Sequence, residues 1–379
     1  MTKQATASNG TTAGGLAGLD HSLRMEPGPG NTRNSEGDFI RLRDGRWMLV
    51  YTHFLTGSGG DHDRAHLAAR FSEDDGRTWT DRDAVVVPNE GGFNVMSVTL
   101  RRLPGTGEIG LFYLRKNSLS DCRPVLRRSS DEGRTWSRPT EIVPEEQKGY
   151  YVVNNDRVVI LPGGRFVVPA SLHQNPEGAF NPVGRAMCYL SVDGGKTWRR
   201  GKTVLSLPVT GSRTGLQEPG VVELKDGRLL LWARTDQGTQ WQSYSSDGGE
   251  TWTDPRPGPL RSPAAPASIK RIPSTGDLVA IWDDNYDPKA GWHVGARTPL
   301  AVAVSVDEGR TWTRRQILEG DPGGWYCYTA IAFTEEKNRD RQQVLLAYCA
   351  GKGAADGLKT LQVARLPVRA LYAAAAGRR

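Results

Sequence analysis

A glycine-rich stretch near the start of the chain, TGSGGDHDRAHLAARFSEDDG, brings several proton-transferring side chains close together. Asp61, His62 and Asp63 are consecutive, His66 follows them, and His53 lies just before the stretch. Three histidines and two aspartates could suggest a metal site, but their spacing matches no closed ligand set. Carboxyl and imidazole groups are also common general acids and bases. We therefore expect a hydrogen-bonded acid–base cluster here rather than a metal site.

A repeated motif must build the framework around this cluster. The pattern S-x-D-x-G-x-T-W occurs five times, beginning at Ser72, Ser129, Ser191, Ser245 and Ser305, so that successive copies are 57, 62, 54 and 60 residues apart. In a tight turn the aspartate can accept backbone N–H groups, and the glycine can take a positive φ. The tryptophan can cover the end of the hairpin with a large apolar face. We therefore interpret the motif as a structural device and not as a catalytic one.

Strand and hairpin patterns fill the intervals between these motifs. The segment VVELKDGRLLLWAR predicts two strands joined by a turn at Asp226 and Gly227, and FIRLRDGRWMLVYTHF, VVILPGGRFVVPASLH and IKRIPSTGDLVAIWDD repeat that design. Each hairpin is followed by a strand that runs into a motif, and we count six such units, the last without a motif. Sheets repeated at this period can bury their faces only against neighbouring sheets. The pattern predicts an all-β, six-bladed β-propeller of four-stranded antiparallel blades, with ligands at the central axis.

The bulk composition agrees with many short strands and tight turns. The chain has 379 residues, of which 45 are glycine, 11 are tryptophan and 37% are hydrophobic. We expect a single propeller domain over residues 26–370, with flexible tails at residues 1–25 and 371–379.

Several classes of function are disfavoured by the same composition. The formal charge of +7 is spread along the chain, which disfavours a nucleic-acid partner and leaves a mild preference for anionic ligands. No apolar run is long enough to span a membrane, and the N-terminus lacks the apolar core of a signal peptide, so we expect a cytoplasmic location. Four scattered cysteines without a C-x-x-C pair are expected to be buried thiols. We expect no cofactor, and the oligomeric state stays open.

The repeated motifs resemble the Asp-box (BNR) repeats of the sialidase superfamily, over roughly residues 30–365. The resemblance implies a β-propeller with its site on the inner strands and their loops. It also implies an enzyme that removes a terminal acidic sugar from a glycan, with sialic acid as the default. Asp-boxes also occur in propellers without catalytic activity, so the resemblance supports the fold more strongly than the function.

The resemblance implies roles for individual residues. The segment QEPGVVELKDGRLLLWAR is similar to sialidase segments in which a glutamate opens an inner strand and an arginine closes the next one, which selects Glu218 and Arg234. The segment ARTPLAVAVSVDEGRTW selects Arg297 as another arginine for the substrate carboxylate. In GWYCYTAIAF, Tyr328 best matches the sialidase nucleophile, with Tyr326 as the alternative. The glutamate would act as the base for the tyrosine, which suits an anionic sugar because a carboxylate nucleophile would be repelled.

Two features of the first blade leave the resemblance incomplete. The catalytic aspartate of the family follows the first hairpin and precedes the first Asp-box, and Asp61 and Asp63 both qualify. Sialidases open this blade with an R-I-P segment whose arginine also binds the carboxylate, whereas this chain reads NTRNSEGDFIRL. Arg33 stands slightly early there, and Glu36 would repel a carboxylate if it pointed inward. Either Arg33 substitutes for the family's arginine, or the substrate is not an ordinary sialic acid.

Two further segments, LRKNSLSDCRP and GYYVVNNDRVVIL, are unusually polar for propeller strands. Loop capping and turn chemistry would account for them. The alternative is a pocket rich in hydrogen-bond donors for sugar hydroxyls. In that pocket Arg115 and Arg157 would be alternative carboxylate binders, and Asn155, His173 and His62 would contact the substrate.

Two rival functions stay open beside the sialidase-like one. The first is another carbohydrate-active enzyme on the same scaffold, a hydrolase or lyase for uronic-acid-linked or other unusual sugars, with His62 or His173 as its base. The second is a non-catalytic propeller that binds a glycan or a protein. The density of charged residues at strand ends argues against that second rival.

Overall fold

The structure is a computed structural model that describes residue 16 and residues 18–285 and 295–373. The first half of the chain forms strands β1 (Asp20–Met25), β2 (Arg33–Arg41), β3 (Trp47–Phe54), β4 (Ala65–Ser72), β5 (Ala84–Val87), β6 (Asn94–Arg102), β7 (Ile109–Ser118), β8 (Asp121–Ser129), β9 (Thr140–Glu141), β10 (Tyr151–Val152), β11 (Val159–Ile160), β12 (Phe166–Gln174), β13 (Phe180–Ser191) and β14 (Arg199–Arg200). The second half forms β15 (Gln217–Glu223), β16 (Leu229–Arg234), β17 (Thr239–Ser245), β18 (Arg256–Arg261), β19 (Ser268–Arg271), β20 (Leu278–Asp283), β21 (Leu300–Ser305), β22 (Thr313–Glu319), β23 (Gly324–Phe333), β24 (Gln343–Lys352) and β25 (Leu361–Pro367).

Helical structure is limited to short segments. They are a 3₁₀ turn at Glu145–Gln147 and the helices α1 (Gly353–Asp356) and α2 (Val368–Leu371). Within the described ranges, no helix has the length and apolar character needed to cross a membrane.

The strands form six antiparallel sheets, which confirms the six-bladed β-propeller predicted from the sequence. Five sheets follow the chain order, as β2 to β5, β6 to β9, β10 to β14, β15 to β18 and β19 to β22. The sixth contains β23, β24, β25 and β1. In the third blade the inner strand is split into β10 and β11, which both pair with β12.

The N-terminal strand closes the ring and corrects the predicted tail. Strand β1 pairs with β25 and supplies the outer strand of the sixth blade, so the chain from residue 20 onward is not a flexible tail. The sixth unit has no fourth strand of its own, and this pairing satisfies the exposed edge of β25. The C-terminal tail was also predicted to begin too early, because Leu371 is 2% exposed and the Tyr372 hydroxyl donates to the Asp277 carboxylate at 2.7 Å. Residues 1–15, 17 and 374–379 of the predicted tails lie outside the described residues.

The core consists of hydrophobic clusters between neighbouring blades. Along β16, Leu229 joins a cluster with the third blade, and Leu230 joins one with the fifth. Along β24, Leu345 packs toward the first blade and Leu346 toward the fifth. This alternation follows from the two-residue period of a strand, since successive side chains point to opposite faces. All four cysteines are buried free thiols, as the sequence predicted.

Each repeated motif forms the turn between the third and fourth strands of its blade. In the fourth blade, Asp247 Oδ1 accepts hydrogen bonds from the Ser245 hydroxyl at 2.8 Å and the Thr251 N–H at 2.9 Å, and Oδ2 accepts from the Thr251 hydroxyl at 2.6 Å. Trp252 donates its indole N–H to the Gly249 carbonyl at 3.1 Å. The other motifs repeat the serine–aspartate–threonine hydrogen bonds. The motif therefore stabilises the hairpin end.

Candidate active site

β-Bulges in the inner strands turn four polar side chains toward one cavity. The register shifts in β2, β6, β15 and β23, at Glu36 (φ 54°), Ser97 (φ 61°), Glu218 (φ 47°) and Tyr328 (φ 56°). A positive φ at a residue other than glycine costs about 1–3 kcal/mol and recurs at functional sites. A bulge redirects one side chain without disrupting the rest of the strand. The fold therefore accepts local strain at these four positions.

The cavity that these residues share has a volume of about 240 Å³. Of the predicted site residues, Asp61, His62, His173, Glu218, Arg234 and Tyr328 line it. The remaining lining residues are Glu36, Met96, Ser97, Leu114, Lys116, Cys122, Tyr150, Val152, Phe180, Pro182 and Gln217.

Tyr328 and Glu218 form a hydrogen-bonded pair at one wall of the cavity. The Tyr328 hydroxyl donates to Glu218 Oε1 at 3.1 Å, and Arg234 Nη1 donates to Glu218 Oε2 at 3.0 Å. Burial alone would raise the pKa of Glu218, but the charges of Arg234 and Arg297 outweigh it and hold this pKa below its usual value. Burial, reinforced by the Glu218 charge, raises the pKa of Tyr328 far above its usual value. The resting pair is therefore a neutral tyrosine and a carboxylate able to accept its proton.

Arg297 lies behind this pair and places a second guanidinium beside Tyr328. Its guanidinium carbon lies 5.7 Å from the centre of the Tyr328 ring, and the side chain is 8% exposed. Among the described residues, Arg297 Nη1, Arg234 Nε and both carboxylate oxygens of Asp283 are buried without a hydrogen-bond partner. Burial raises the pKa of Asp283 well above its usual value. The two arginines thus keep donor capacity that no described protein group uses.

The first blade contributes an ion pair that the sequence only partly predicted. Arg33 is 1% exposed and donates to Asp61 Oδ1 at 2.6 Å and to Glu36 Oε2 at 3.2 Å. Glu36 lines the cavity, and its other oxygen accepts a hydrogen bond from the Ser97 hydroxyl at 3.3 Å. Burial raises the pKa of Glu36. Arg33, predicted as a substrate-binding residue, is therefore not part of the lining, because two carboxylates occupy its guanidinium beneath the cavity surface.

Aromatic and histidine side chains form the remaining wall. The Tyr150 hydroxyl lies 3.4 Å from His62 Nε2, and the Phe180 ring contacts Tyr150 at a centroid distance of 5.0 Å. His173 stacks on Phe180 with centroids 6.1 Å apart, and burial lowers the pKa of His173 to about 4. His173 is therefore neutral near pH 7, so that it offers hydrogen bonds rather than charge.

Besides Arg33 and Arg297, four predicted site residues lie outside the cavity lining. Asp63 accepts hydrogen bonds from Gly60 N–H at 2.8 Å and from the Ser58 hydroxyl, so it caps its own loop. Arg115 forms an ion pair with Glu141 of the outer strand β9.

Arg157 and Asn155 are buried near the axis, where they hold backbone groups. Arg157 Nη2 donates to the Ala267 carbonyl at 2.6 Å. The Asn155 amide donates to the Gly37 carbonyl at 2.8 Å and to the Tyr328 carbonyl at 3.0 Å. Both were predicted to contact substrate, and both instead support the inner strands.

Sequence reasoning missed several lining residues. Ser97, Gln217 and Phe180 carried no motif, and Lys116 and Tyr150 were noted only as members of polar segments. The available signal was a polar residue between apolar neighbours of an inner strand, as in the segment VMSV around Ser97. Tyr326, the alternative to Tyr328, belongs to the hydrophobic cluster between the fifth and sixth blades. In the part of the chain that the structure describes, no group of three or more His, Cys, Asp or Glu side chains is arranged to hold a metal ion.

Comparison with known proteins places the chain in a family. The sequence profile of the BNR repeat-like domain family matches residues 84–338, more than half of the chain. A sialidase of Micromonospora viridifaciens is 26% identical over 341 residues, covering 80% of this chain and 47% of that protein. A sialidase of Bacteroides fragilis is 26% identical over 220 residues, covering 55% of this chain and 37% of that protein. The chain thus spans less than half the length of these two relatives.

A solved structure of the NanB sialidase from Streptococcus pneumoniae superposes with a TM-score of 0.70 at 12% identity, covering 93% of this chain and 71% of that chain. This chain therefore belongs to the BNR repeat-like domain family and is a six-bladed propeller of the sialidase superfamily.

Proposed function

We propose that the protein is a glycoside hydrolase that removes a terminal acidic sugar, sialic acid by default, from the end of a glycan. The observation that carries this proposal is the hydrogen bond of 3.1 Å between the Tyr328 hydroxyl and Glu218, inside the axial cavity. A tyrosine beside a buried carboxylate and two arginines is the arrangement that an anionic sugar requires.

The chemistry follows from the charges. Glycosidic cleavage passes through an oxocarbenium-like transition state, and a carboxylate nucleophile would repel a sugar that is itself negatively charged. A neutral tyrosine avoids that repulsion until it attacks. As the bond from its oxygen to the anomeric carbon forms, the glycosidic C–O bond breaks, Glu218 takes up the tyrosine proton, and a general acid in the cavity protonates the leaving oxygen. The low pKa of Glu218 keeps the carboxylate free to accept this proton. Water then attacks the anomeric carbon and gives a proton to the group that had acted as the acid, the bond to Tyr328 breaks, and Glu218 returns its proton to Tyr328.

Arg234 and Arg297 are the groups that would hold the sugar's carboxylate. Each lies close to Tyr328 or its partner Glu218, and each retains a buried N–H without a described acceptor. A guanidinium binds a carboxylate through two parallel hydrogen bonds, which fixes orientation as well as charge. Arg33 does not join them, because Glu36 and Asp61 already neutralise it.

The test is turnover of sialosides by the wild-type protein and by Tyr328→Phe. We expect the variant to keep its fold and lose activity by orders of magnitude, because it keeps the ring but lacks the nucleophilic oxygen. Tyr326→Phe is the matched control, since Tyr326 lies two residues away and packs outside the cavity. A fluorinated sialoside should trap a covalent adduct that peptide mapping assigns to Tyr328. Sialoside turnover by Tyr328→Phe near the wild-type rate would refute the tyrosine mechanism.

Glu36 supports a second candidate, a hydrolase or lyase for uronic-acid-linked or other unusual sugars. Glu36 lines the cavity and screens Arg33, so the wall that would hold part of a sialic acid carboxylate carries a carboxyl group of its own. His62, on the same side of the cavity, or His173 could then serve as a base. Activity on uronic-acid-linked glycans together with inert sialosides would favour this candidate.

A further inference from the structure

The group that protonates the leaving oxygen must hold a proton at working pH and reach the cavity. Asp61 meets the second condition but not the first. Its Oδ1 lies 2.6 Å from Arg33 Nη1, and Lys116 Nζ donates to its backbone carbonyl at 2.7 Å. Burial would raise the pKa of Asp61, but the charges of Arg33 and Lys116 hold it at about 2. Protonating Asp61 would also leave the buried guanidinium of Arg33 with Glu36 as its only described carboxylate partner.

The neighbouring aspartate is committed to its loop. Asp63 Oδ2 accepts hydrogen bonds from Gly60 N–H at 2.8 Å and from the Ser58 hydroxyl at 3.2 Å, and Asp63 does not line the cavity. Asp63 thus holds its own loop, and Asp61 reaches the cavity as the ionised partner of Arg33.

His62 stands between these two aspartates and lines the cavity. The Tyr150 hydroxyl lies 3.4 Å from His62 Nε2, and the Phe93 ring contacts the imidazole at a centroid distance of 5.2 Å. His62 Nδ1 has no hydrogen-bond partner among the described residues. The ring is thus held through one nitrogen and leaves the other for a ligand.

The charged groups around His62 have opposing effects on its protonation. Asp61 and Asp63 face it from its own loop and favour the imidazolium, whereas Lys116 on β7 opposes it. Burial has the largest effect on the pKa of His62 and the Lys116 charge the next largest. Both lower it and together outweigh the two aspartates, so that this pKa lies below its ordinary value of 6.5. A general acid works best when its pKa is near the operating pH, and a mildly acidic optimum would match this histidine.

We propose that His62 is the proton donor to the leaving oxygen and that Tyr150 is the positioning residue that orients its ring. This inference rests on the proposed function. In the first step Tyr328 Oη bonds to the anomeric carbon, its proton passes to Glu218, the glycosidic C–O bond breaks, and His62 Nδ1–H moves to the leaving oxygen. In the second step neutral His62 takes a proton from the attacking water, the Tyr328–carbon bond breaks, and Glu218 returns its proton to Tyr328. Throughout, His62 Nε2–H donates to the Tyr150 oxygen.

The test compares two substrates that share the sugar and differ in the leaving group. The aryl group of 4-methylumbelliferyl sialoside departs with little need of a proton, whereas the sugar hydroxyl of sialyllactose needs one. His62→Asn cannot supply that proton. For this variant we expect kcat/KM on sialyllactose to fall about 10²–10⁴-fold, and on the aryl sialoside by less than about tenfold. Asp61→Asn is the matched comparison, and its losses should be the same on both substrates.

Tyr150→Phe tests the positioning role through a pH profile. The Tyr150 oxygen stabilises the imidazolium by accepting its Nε2–H, so its removal lowers the pKa of His62. The pH at which kcat/KM for sialyllactose declines should therefore move down, while aryl sialoside turnover is largely kept. An unchanged profile would remove the role of Tyr150.

The remaining outcomes separate this inference from the proposed function. A selective loss on sialyllactose in Asp61→Asn, or equal losses on both substrates in His62→Asn, would overturn the inference and leave the sialidase-like function standing. If the wild-type protein hydrolyses neither sialoside, the proposed function fails and the inference fails with it.

Discussion

Asn155 of the third blade donates a hydrogen bond of 3.0 Å to the backbone carbonyl of Tyr328 on the sixth. The same amide group donates to the Gly37 carbonyl on the first blade at 2.8 Å. Tyr328 has a φ of 56°, which its own strand does not favour. A side chain from another blade thus helps to hold the strained backbone that places the tyrosine hydroxyl beside Glu218.

Replacement of Asn155 by aspartate should impair catalysis more than folding. Aspartate keeps the shape but cannot donate to the two carbonyls, so the Tyr328 backbone should relax. A small misplacement of a reacting group can cost about 10²-fold in rate. We expect kcat to fall by about that factor with little change in KM, and these values should be measured on the folded fraction. A variant that loses stability but keeps kcat would show that Asn155 has only a structural role.

Arg234→Lys should weaken the use of an anionic sugar. Lysine cannot make two parallel hydrogen bonds to a carboxylate, and it would also change the contact to Glu218 Oε2. A hydrogen bond to a charged group contributes about 1.5–3 kcal/mol, so we expect kcat/KM to fall about 10- to 100-fold. Substrate titration with a sialoside measures this effect.

Arg115→Lys is the control for that experiment, because the ion pair of Arg115 with Glu141 lies outside the cavity lining. It should leave kcat/KM unchanged. Equal losses in the two variants, or a preference of the wild-type protein for a neutral sugar, would contradict the carboxylate-binding role of Arg234.

Trp252→Ala should lower the free energy of unfolding and leave the activity of the folded fraction unchanged. Trp252 is 8% exposed within the cluster between the third and fourth blades, and truncation of a buried aromatic residue costs about 3–5 kcal/mol. The measurements are the free energy of unfolding and the specific activity of the folded fraction. A catalytic collapse without loss of stability would overturn the structural interpretation of the motif.

The fold could be predicted from the sequence because every blade repeats the same pattern, so that several copies support the same prediction. Five copies of one motif and the hairpins between them specify the blades, and alternation such as Leu229 and Leu230 specifies which face packs on which neighbour. The N-terminal strand was missed because DHSLRM is short and its partner, β25, lies more than three hundred residues away in the chain. No local sequence pattern predicts a strand pairing between segments so far apart in the chain.

Family positions selected the residues that make up the tyrosine–glutamate wall of the site, whereas His62 and His173 came from polar segments of the sequence. Glu218, Arg234 and Tyr328 were predicted from family positions, and the structure brings them together. The sequence could not distinguish the cavity-lining residues from Arg115, Arg157 and Asn155. A polar residue near a strand end can face either the cavity or a neighbouring blade, and these three contact other parts of the sheets. The β-bulges decide which way each side chain turns, and a bulge at a residue other than glycine has no simple sequence signature.

The aspartates of the repeated motif should make the free energy of unfolding fall between about pH 4 and pH 2. Hydrogen bonds from Thr135 and Ser129 lower the pKa of Asp131 to about 2. For Asp247, burial acts to raise the pKa, but the hydrogen bonds from Thr251 and Ser245 outweigh it and lower the pKa to about 2. The ordinary pKa of an aspartate, which applies in the unfolded chain, is 3.8. Each motif aspartate therefore stabilises the fold above that pH, and this contribution is lost as the pH falls through the pKa that the aspartate has in the folded protein. Asp247→Asn cannot titrate, so its melting temperature should lie below that of the wild type at neutral pH, and the gap should narrow as pH falls to 2. Thermal melts of both proteins across this range provide the measurement, and a constant gap would show that the ionised carboxylate does not stabilise the turn.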